Sequence, residues 1–187
     1  MITELEMKNL LITISVIFIF SNCSNSNENI HEEKFKPRIN SIVKKIFLKR
    51  PTYNLEYPYN WYIDSTDSDF DIDNYFSIDS KSESGFVKFI FFNTQLDEEV
   101  HMKEQIKEHL KVTVKNGTVS YFNKWGIYTG QGAIIKGKML GVFKGELKLF
   151  VHSNDSSSFL IFSQILDEDK LRDEQGLKII ENSFLKK

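Results

Sequence analysis

The fold is decided by residues 85–112, whose sequence is GFVKFIFFNTQLDEEVHMKEQIKEHLKV. The segment Phe86–Phe92 is apolar at nearly every position, which is typical of a central strand covered on both faces. The segment Leu96–Val112 alternates apolar and charged residues with the period of a helix. Together the two segments predict a sheet with a buried central strand, followed by a helix that packs against it.

The predicted helix over Leu96–Val112 has start and stop signals at both ends. Thr94 is a candidate N-cap, and acidic residues fill the first turn, where unpaired backbone N–H groups favour negative charge. Apolar residues recur at every fourth position from Met102 to Leu110. One face of the helix is therefore predicted to point to the core.

Short strands are expected on both sides of this stretch. Pro58 predicts a bend because it lacks a backbone donor, Asn116-Gly117 predicts a break, and Ser153–Ser156 predicts a hairpin turn. The expected strands are Tyr53–Glu56, Trp61–Asp64, Tyr75–Ile78, Val119–Phe122, Trp125–Ile135, Val142–Val151 and Phe159–Leu166, and a last helix is expected over Asp173–Leu185. This order predicts an α+β fold, in which an antiparallel sheet is flanked by helices as an α/β/α sandwich.

Composition bounds the function as well as the fold. The chain has 187 residues, 41% hydrophobic and 27% charged, which suits one globular domain preceded by a short extra segment. The net charge of −2 gives no field that would attract a polyanion to the whole protein, so no nucleic-acid partner is expected. A single cysteine excludes an intramolecular disulfide.

The first residues have the pattern of an export signal. Lys8 precedes an unbroken apolar run, Leu10–Phe20, which would span only about 17 Å as a helix and is too short to cross a membrane comfortably. Glu4 and Glu6 lie where positive charge is expected, which suggests that translation starts at Met7 rather than Met1.

The run and the cysteine after it resemble a bacterial lipoprotein signal, in which the first residue after cleavage carries the lipid. That residue here is Cys23, although Phe20 and Asn22 depart from the strictest pattern, and an ordinary signal peptide with an incidental cysteine is the alternative. The resemblance implies a signal peptide over 1–22, a lipid-anchored flexible tether over 23–44 and a single domain over 45–187. It also implies a lipoprotein exported to the bacterial cell envelope, anchored at the outer membrane or facing the periplasm.

The domain resembles the PsbP, Mog and DcrB-like superfamily of α/β/α sandwiches over about residues 45–187. The segment Tyr53–Trp61 is similar to that family's aromatic opening strand with its Tyr-Pro-x-x-Trp corner, and Ile179–Phe184 is similar to its closing helix. Gly126–Gly132 stands where the family has a glycine-containing strand. The acidic loop at 67–73 is a departure. Because members serve as accessory subunits, adaptors and envelope lipoproteins, the resemblance implies a protein that is not an enzyme.

The acidic residues Asp67, Asp69, Asp71 and Asp73 are the best candidates for a metal site, since alternating carboxylates can bind Ca²⁺. The EF-hand pattern fails, because it needs glycine at the position of Ile72 and glutamate at that of Ile78. A solvated acidic loop is the favoured interpretation, and no metal or other cofactor is expected.

Other chemical motifs are weak. His101 and His109 are two helical turns apart, too far to bind one ion together. Gly130-Gln131-Gly132 lies in a strand pattern, where it predicts a bulge or close packing rather than a nucleotide site. No catalytic residue is proposed from the sequence.

The aromatic residues Tyr57, Tyr59 and Trp61 are the candidate surface for a partner or ligand, with core packing as the alternative. The leading hypothesis is a membrane-anchored accessory protein that docks another protein, still unidentified. A carrier that binds a small apolar ligand between sheet and helix is the second hypothesis, and an enzyme is the third.

Overall fold

The structure is a computed structural model that describes residues 43–82 and 84–187. The predicted signal peptide, Cys23 and nearly all of the predicted tether lie outside the described residues. Neither of the two described helices has the length and apolar character needed to cross a membrane.

The described chain contains ten strands and two helices. The helices are α1 (Glu98–Val112) and α2 (Lys170–Ser183). The strands are β1 (Lys45–Lys49), β2 (Tyr53–Pro58), β3 (Trp61–Asp64), β4 (Tyr75–Ser80), β5 (Phe86–Phe92), β6 (Val114–Trp125), β7 (Tyr128–Met139), β8 (Phe143–Ser153), β9 (Ser158–Leu166) and β10 (Leu185–Lys186).

The strands form two antiparallel sheets. The main sheet has seven strands in the order β3-β4-β5-β9-β8-β7-β6, and the small sheet has three in the order β1-β2-β10. The apolar strand β5 pairs with β4 on one side and with β9 on the other, as the sequence predicts. The hairpin over Ser153–Ser156 also forms, and it joins β8 to β9.

The helix α1 covers one face of the main sheet with an aliphatic core. Met102 and Ile106 are buried on the sheet side of α1, where they pack against a set of strand residues. That set is Val114, Ala133, Ile135, Met139, Leu147, Leu149, Val151 and Leu160. The four-residue spacing of the two helix residues therefore marks the core face of α1, as predicted.

The opposite face of the main sheet carries an aromatic core. It is covered by α2, which contributes Ile180, and by the small sheet, which contributes Tyr53 and Leu55. Stacked or tilted rings join the layers: Tyr53, Phe76, Phe89, Phe91, Trp125, Phe150, Phe159 and Phe184. The predicted α+β class, an antiparallel sheet flanked by helices, is confirmed.

Several predicted boundaries shift for identifiable reasons. Asp97 rather than Thr94 caps α1, because its carboxylate accepts a hydrogen bond from the N–H of Val100 (3.0 Å). Asn116-Gly117 does not mark the end of the helix, since α1 already ends at Val112; the pair lies in an irregularity of β6, where Asn116 adopts a φ of 53°. The last helix begins at Lys170 and ends at Ser183, and Leu185 already belongs to β10.

Candidate functional site

The aromatic residues predicted to form a surface do not lie on one. Tyr57 and Trp61 are buried in the aromatic core, whereas Tyr59 is 57% exposed. The Trp61 ring packs so closely on Gly176 of α2 that a Cβ there would lie 2.5 Å from the ring. The prediction of a shared surface is therefore corrected: Tyr57 in β2 and Trp61 in β3 face the core, and Tyr59 lies in the turn between these strands, so only Tyr59 remains exposed.

Three of the four aspartates in residues 67–73 are bound by protein groups. Asp73 accepts two hydrogen bonds of 2.8 Å from the Arg50 guanidinium, which holds the pKa of that carboxyl below its ordinary value. Asp67 lies 3.2 Å from the ammonium of Lys88.

Asp71 in this loop binds backbone and side-chain amides. Asp71 accepts from the side-chain amide of Asn74 (2.8 Å), and this hydrogen bond lowers the pKa of Asp71. The Asp69 N–H donates to Asp67. Among the described residues, no three His, Cys, Asp or Glu side chains converge as metal ligands would. The four aspartates lie in one loop, and protein cations and amides bind the carboxylates of Asp67, Asp71 and Asp73.

The histidines of the described region serve in packing. His109 lies against the Phe162 ring (centroids 5.9 Å apart), and burial lowers its pKa to about 4. His152 contacts the carbonyl of Thr129 through Nδ1 at 2.8 Å and packs against the Tyr128 ring. Each imidazole is thus held by its own neighbours.

A buried carboxylate, Asp173 at the start of α2, was not identified from the sequence. Its oxygen accepts hydrogen bonds from the hydroxyl groups of Ser80 (3.0 Å), Ser82 (2.8 Å) and Ser84 (3.3 Å). Its second oxygen accepts from the guanidinium of Arg172. This cluster ties the β4–β5 turn to α2, and its donors leave the carboxylate no free face for chemistry. The serine spacing of two residues was its only signal in the sequence.

Charged side chains cluster on the main sheet where β6 and β8 begin and β7 ends. A cleft of about 430 Å³ is lined by five lysines and two carboxylates: Lys115, Lys136, Lys138, Lys144, Lys170, Glu146 and Asp167. Lys170 and Lys136 both approach Glu146, at 3.1 Å and 3.6 Å. The residues Lys115, Lys138 and Lys144 lie directly opposite one another on three adjacent strands. We call these three the lysine row.

The lysine row was missed because it depends on pairing between strands. The alternation at Lys136 and Lys138 signals one shared face. The register between β7 and β8 determines the neighbours of these two lysines. It places Lys144 opposite Lys138 and Glu146 opposite Lys136. Glycines at 137 and 145 lie between these charged positions. Overall net charge cannot show such a local concentration.

The space between sheet and α2 is small. A cavity of about 100 Å³ there is lined by Val87, Trp125, Ser163, Ile165, Leu177 and neighbouring charged residues. Pockets that bury a small organic ligand usually measure about 300 to 1,000 Å³. This cavity is therefore too small for the apolar ligand of the carrier hypothesis.

Comparison with known proteins gives structural neighbours of low similarity. No protein-family model matches the chain, and no curated protein matches it in sequence. One similar structure is a protein of Bacteroides thetaiotaomicron, with 11% identity and a TM-score of 0.48; the match covers 78% of this chain and 48% of that one. The chain thus spans about half of that protein's length.

Two further similar structures are named proteins. Cyanobacterial PsbP (CyanoP) from Synechocystis has 8% identity and a TM-score of 0.47, with 79% of this chain and 95% of that chain covered. LpqN, involved in cell envelope biogenesis of Mycobacterium tuberculosis, has 11% identity and a TM-score of 0.47, with 78% and 92% covered. A PsbP protein is thus among the similar structures, and the function proposed below rests on the residues of this chain alone.

Proposed function

We propose that this protein is an accessory protein of the bacterial cell envelope, anchored to a membrane by a lipid on Cys23. Its α+β domain docks another protein and does not catalyse a reaction. The observation that carries the proposal is the aromatic side chain of Phe47 on the small sheet, which is 61% exposed; Tyr59, in the turn that follows β2, is 57% exposed. Exposed aromatic side chains are typical of interface anchors.

The two aromatic residues lie close to the start of the domain. Phe47 is in β1, and the N–H of Tyr59 donates to the carbonyl of Lys44, just before that strand. Phe47 lies three residues beyond Lys44 in an extended strand, and residues at an odd spacing face opposite sides, so the proposed interface centres on Phe47. The predicted tether ends at residue 44, so this surface follows the tether directly in the sequence.

The strand β1 also offers a backbone edge. Within the part of the chain that the structure describes, β1 pairs with β2 alone, so its other edge can accept an added strand. The occupant we propose is an extended segment of a partner protein, whose backbone would pair with β1 and whose apolar side chains would contact Phe47.

Photo-crosslinking in the native membrane tests this surface. A benzoylphenylalanine placed at Phe47 should give a discrete crosslinked product, because the side chain would lie in the interface. The matched control is the same group at Tyr121, which is 73% exposed on β6, an outer strand of the main sheet. Equal products from both positions, or none from Phe47, would contradict the proposal.

Labelling with a radioactive fatty acid tests the anchor separately. The wild-type protein should incorporate the label, and Cys23→Ala should lose all of it, because the acylated sulfur is absent. Label that persists in the variant would place the lipid elsewhere. If the labelling refutes the anchor, the docking surface is still tested by the crosslink at Phe47.

A further inference from the structure

The hairpin between β7 and β8 exposes apolar side chains at its tip. Met139 pairs with Phe143, and the connecting residues are Leu140, Gly141 and Val142. Val142 is 67% exposed and Leu140 is 39% exposed. Phe143, at the start of β8, is also among the exposed large apolar residues. A hairpin tip in water ordinarily carries polar residues, so this one is unusual.

The backbone conformation of the tip is also unfavourable. Leu140 adopts a φ of 49°, in the left-handed region that favours glycine or asparagine. Its N–H donates to the carbonyl of Thr113 (2.7 Å), which joins the tip to the end of α1, where Val112 is exposed. An exposed leucine in this conformation is unfavourable for both its side chain and its backbone. Such features concentrate at functional sites.

The lysine row lies immediately behind the tip. Lys138 and Lys144 face each other one position from the Met139–Phe143 pair, and Lys115 faces Lys138. Like charges directly opposite each other in a sheet destabilise it. None of the ion pairs found in residues 43–82 and 84–187 involves these three lysines. A ligand with negative charge would relieve this repulsion.

We propose that the β7–β8 tip docks on a membrane surface that contains anionic phospholipid. Leu140 and Val142 enter the boundary between headgroups and acyl chains, and the lysine row binds headgroup phosphates. Apolar residues surrounded by lysines are the combination that binds proteins to such surfaces, since burial and electrostatic attraction add. The open cleft of about 430 Å³ behind the tip has room for a headgroup.

This contact is distinct from the predicted lipid anchor and from the surface at Phe47. An anchor on a flexible tether holds the domain near the membrane but does not orient it. Contact through the tip would orient the domain, because β7 would stand with its Met139 end at the bilayer. The proposal therefore holds or fails independently of the docking partner.

A tryptophan placed at the tip reports its depth in the membrane. The full chain is reconstituted in vesicles with brominated acyl chains, made of phosphatidylcholine alone or with phosphatidylglycerol. The test variant is Val142→Trp, and the matched control is Ile127→Trp, which lies in the turn at the opposite end of β7 and is 65% exposed. Trp61 and Trp125 are buried and give both variants the same background.

In vesicles with phosphatidylglycerol, bromine should quench the added fluorescence of Val142→Trp at least about twofold more than that of Ile127→Trp. The difference should disappear in phosphatidylcholine alone, and should shrink when salt rises from about 0.1 M to about 1 M, because screening weakens the headgroup contact. Replacing the three residues of the lysine row by serine in Val142→Trp should also remove it. Circular dichroism verifies that each variant is folded.

The remaining outcomes overturn the proposal. Equal quenching of Val142→Trp and Ile127→Trp would mean that the tip does not face the bilayer. Quenching of Val142→Trp that is as strong in phosphatidylcholine alone as with phosphatidylglycerol would mean that the lysines do not contribute. The absence of quenching at Val142→Trp would leave a protein surface as the better occupant of the tip. Displacement by inorganic phosphate at constant ionic strength would assign the lysine row to free phosphate instead.

Discussion

The same face of the strands β6, β7 and β8 has two ends with opposite chemistry. At one end Phe122, Gly132 and Phe150 lie opposite one another, and at the other end the lysine row does so. Phe150 is fully buried in the aromatic core, whereas the three lysines are exposed. The helix α2 and the small sheet cover the aromatic end, and the basic end lies at an open cleft.

The difference teaches that alternation along a strand defines a face but not what covers it. The residues Lys144, Glu146, Lys148 and Phe150 follow one another at a spacing of two and share one side of β8. Only Phe150 has a hydrophobic cover. Charge accumulates where the cover ends, with Lys170 at the start of α2 bound to Glu146 as the boundary. Stability is thus expected to reside at one end and binding at the other.

The largest expected effect comes from emptying the aromatic end. Phe150→Ala should lower the free energy of unfolding by about 3 to 5 kcal/mol, because it leaves a cavity beneath the Phe122 and Trp125 rings. Lys144→Ala, on the same face of the same strand, should change it by less than about 0.5 kcal/mol. Urea unfolding measures both. Similar losses of stability in the two variants would mean that stability does not reside mainly at the aromatic end.

The next effect concerns how α2 is held over the aromatic end. Asp173→Ala should cost about 2 to 3 kcal/mol, because it leaves buried hydroxyl groups of the β4–β5 turn without their acceptor. Asp169→Ala is the control, since Asp169 pairs with the same Arg172 but is less buried. Its cost should stay below about 1 kcal/mol. Equal costs would show that the ion pair, not the serine cluster, holds the helix.

On the opposite face of the sheet, the partly buried His109 should make the free energy of unfolding depend on pH. Burial lowers the pKa of His109 from 6.5 to about 4, so the unfolded chain binds a proton in this range that the folded chain does not. Stability from this group is complete above about pH 6.5 and is lost as the pH falls toward 4, with a limiting slope of about 1.4 kcal/mol per pH unit.

The test compares wild type with His109→Gln by urea unfolding at about pH 7 and about pH 5. The wild type should lose about 1 to 2 kcal/mol more than the variant between these two conditions, since the variant lacks the titrating group. Parallel losses in both proteins would mean that the imidazole is accessible to solvent. Such a result would also mean that His109 is not packed against the Phe162 ring in solution.

The smallest expected change in the free energy of unfolding concerns the basic end. Lys138→Gln should raise the free energy of unfolding by about 0.2 to 1 kcal/mol, because it removes repulsion from Lys115 and Lys144. The gain should fall as salt is added. Lys107→Gln on the exposed side of α1 should give no comparable gain. A loss of stability in Lys138→Gln would mean that the lysine row is compensated within the protein.

Much of the fold could be predicted because local patterns agree with the final packing. The apolar run at Phe86–Phe92 predicts a strand covered on both faces; the strand forms, with Val87 and Phe89 buried and its other residues half-buried. The periodic residues Met102 and Ile106 predict the buried side of α1, and this prediction is confirmed. The break after the helix was predicted at Asn116-Gly117, but α1 already ends at Val112, and pairing with β7 carries β6 through a local irregularity at these two residues. Tertiary pairing outweighed a turn signal there.

The candidate site was far less predictable. Tyr57, Tyr59 and Trp61 looked equivalent as aromatic residues, but packing against Gly176 buried Trp61 and left Tyr59 outside. The serines around Asp173 are separated from it by about ninety residues, so no local pattern could join them. Contacts of this kind exist only once the chain is folded.

The sequence by itself determined the α+β class, the central strand, the first helix and its buried side, because these follow from the periodicity of neighbouring residues. Only the tertiary structure decided which aromatic residues are exposed, and which lysines stand in one row beside an apolar tip. Register between strands and the extent of the covering helix set those features, and both arise from contacts between residues distant in the chain.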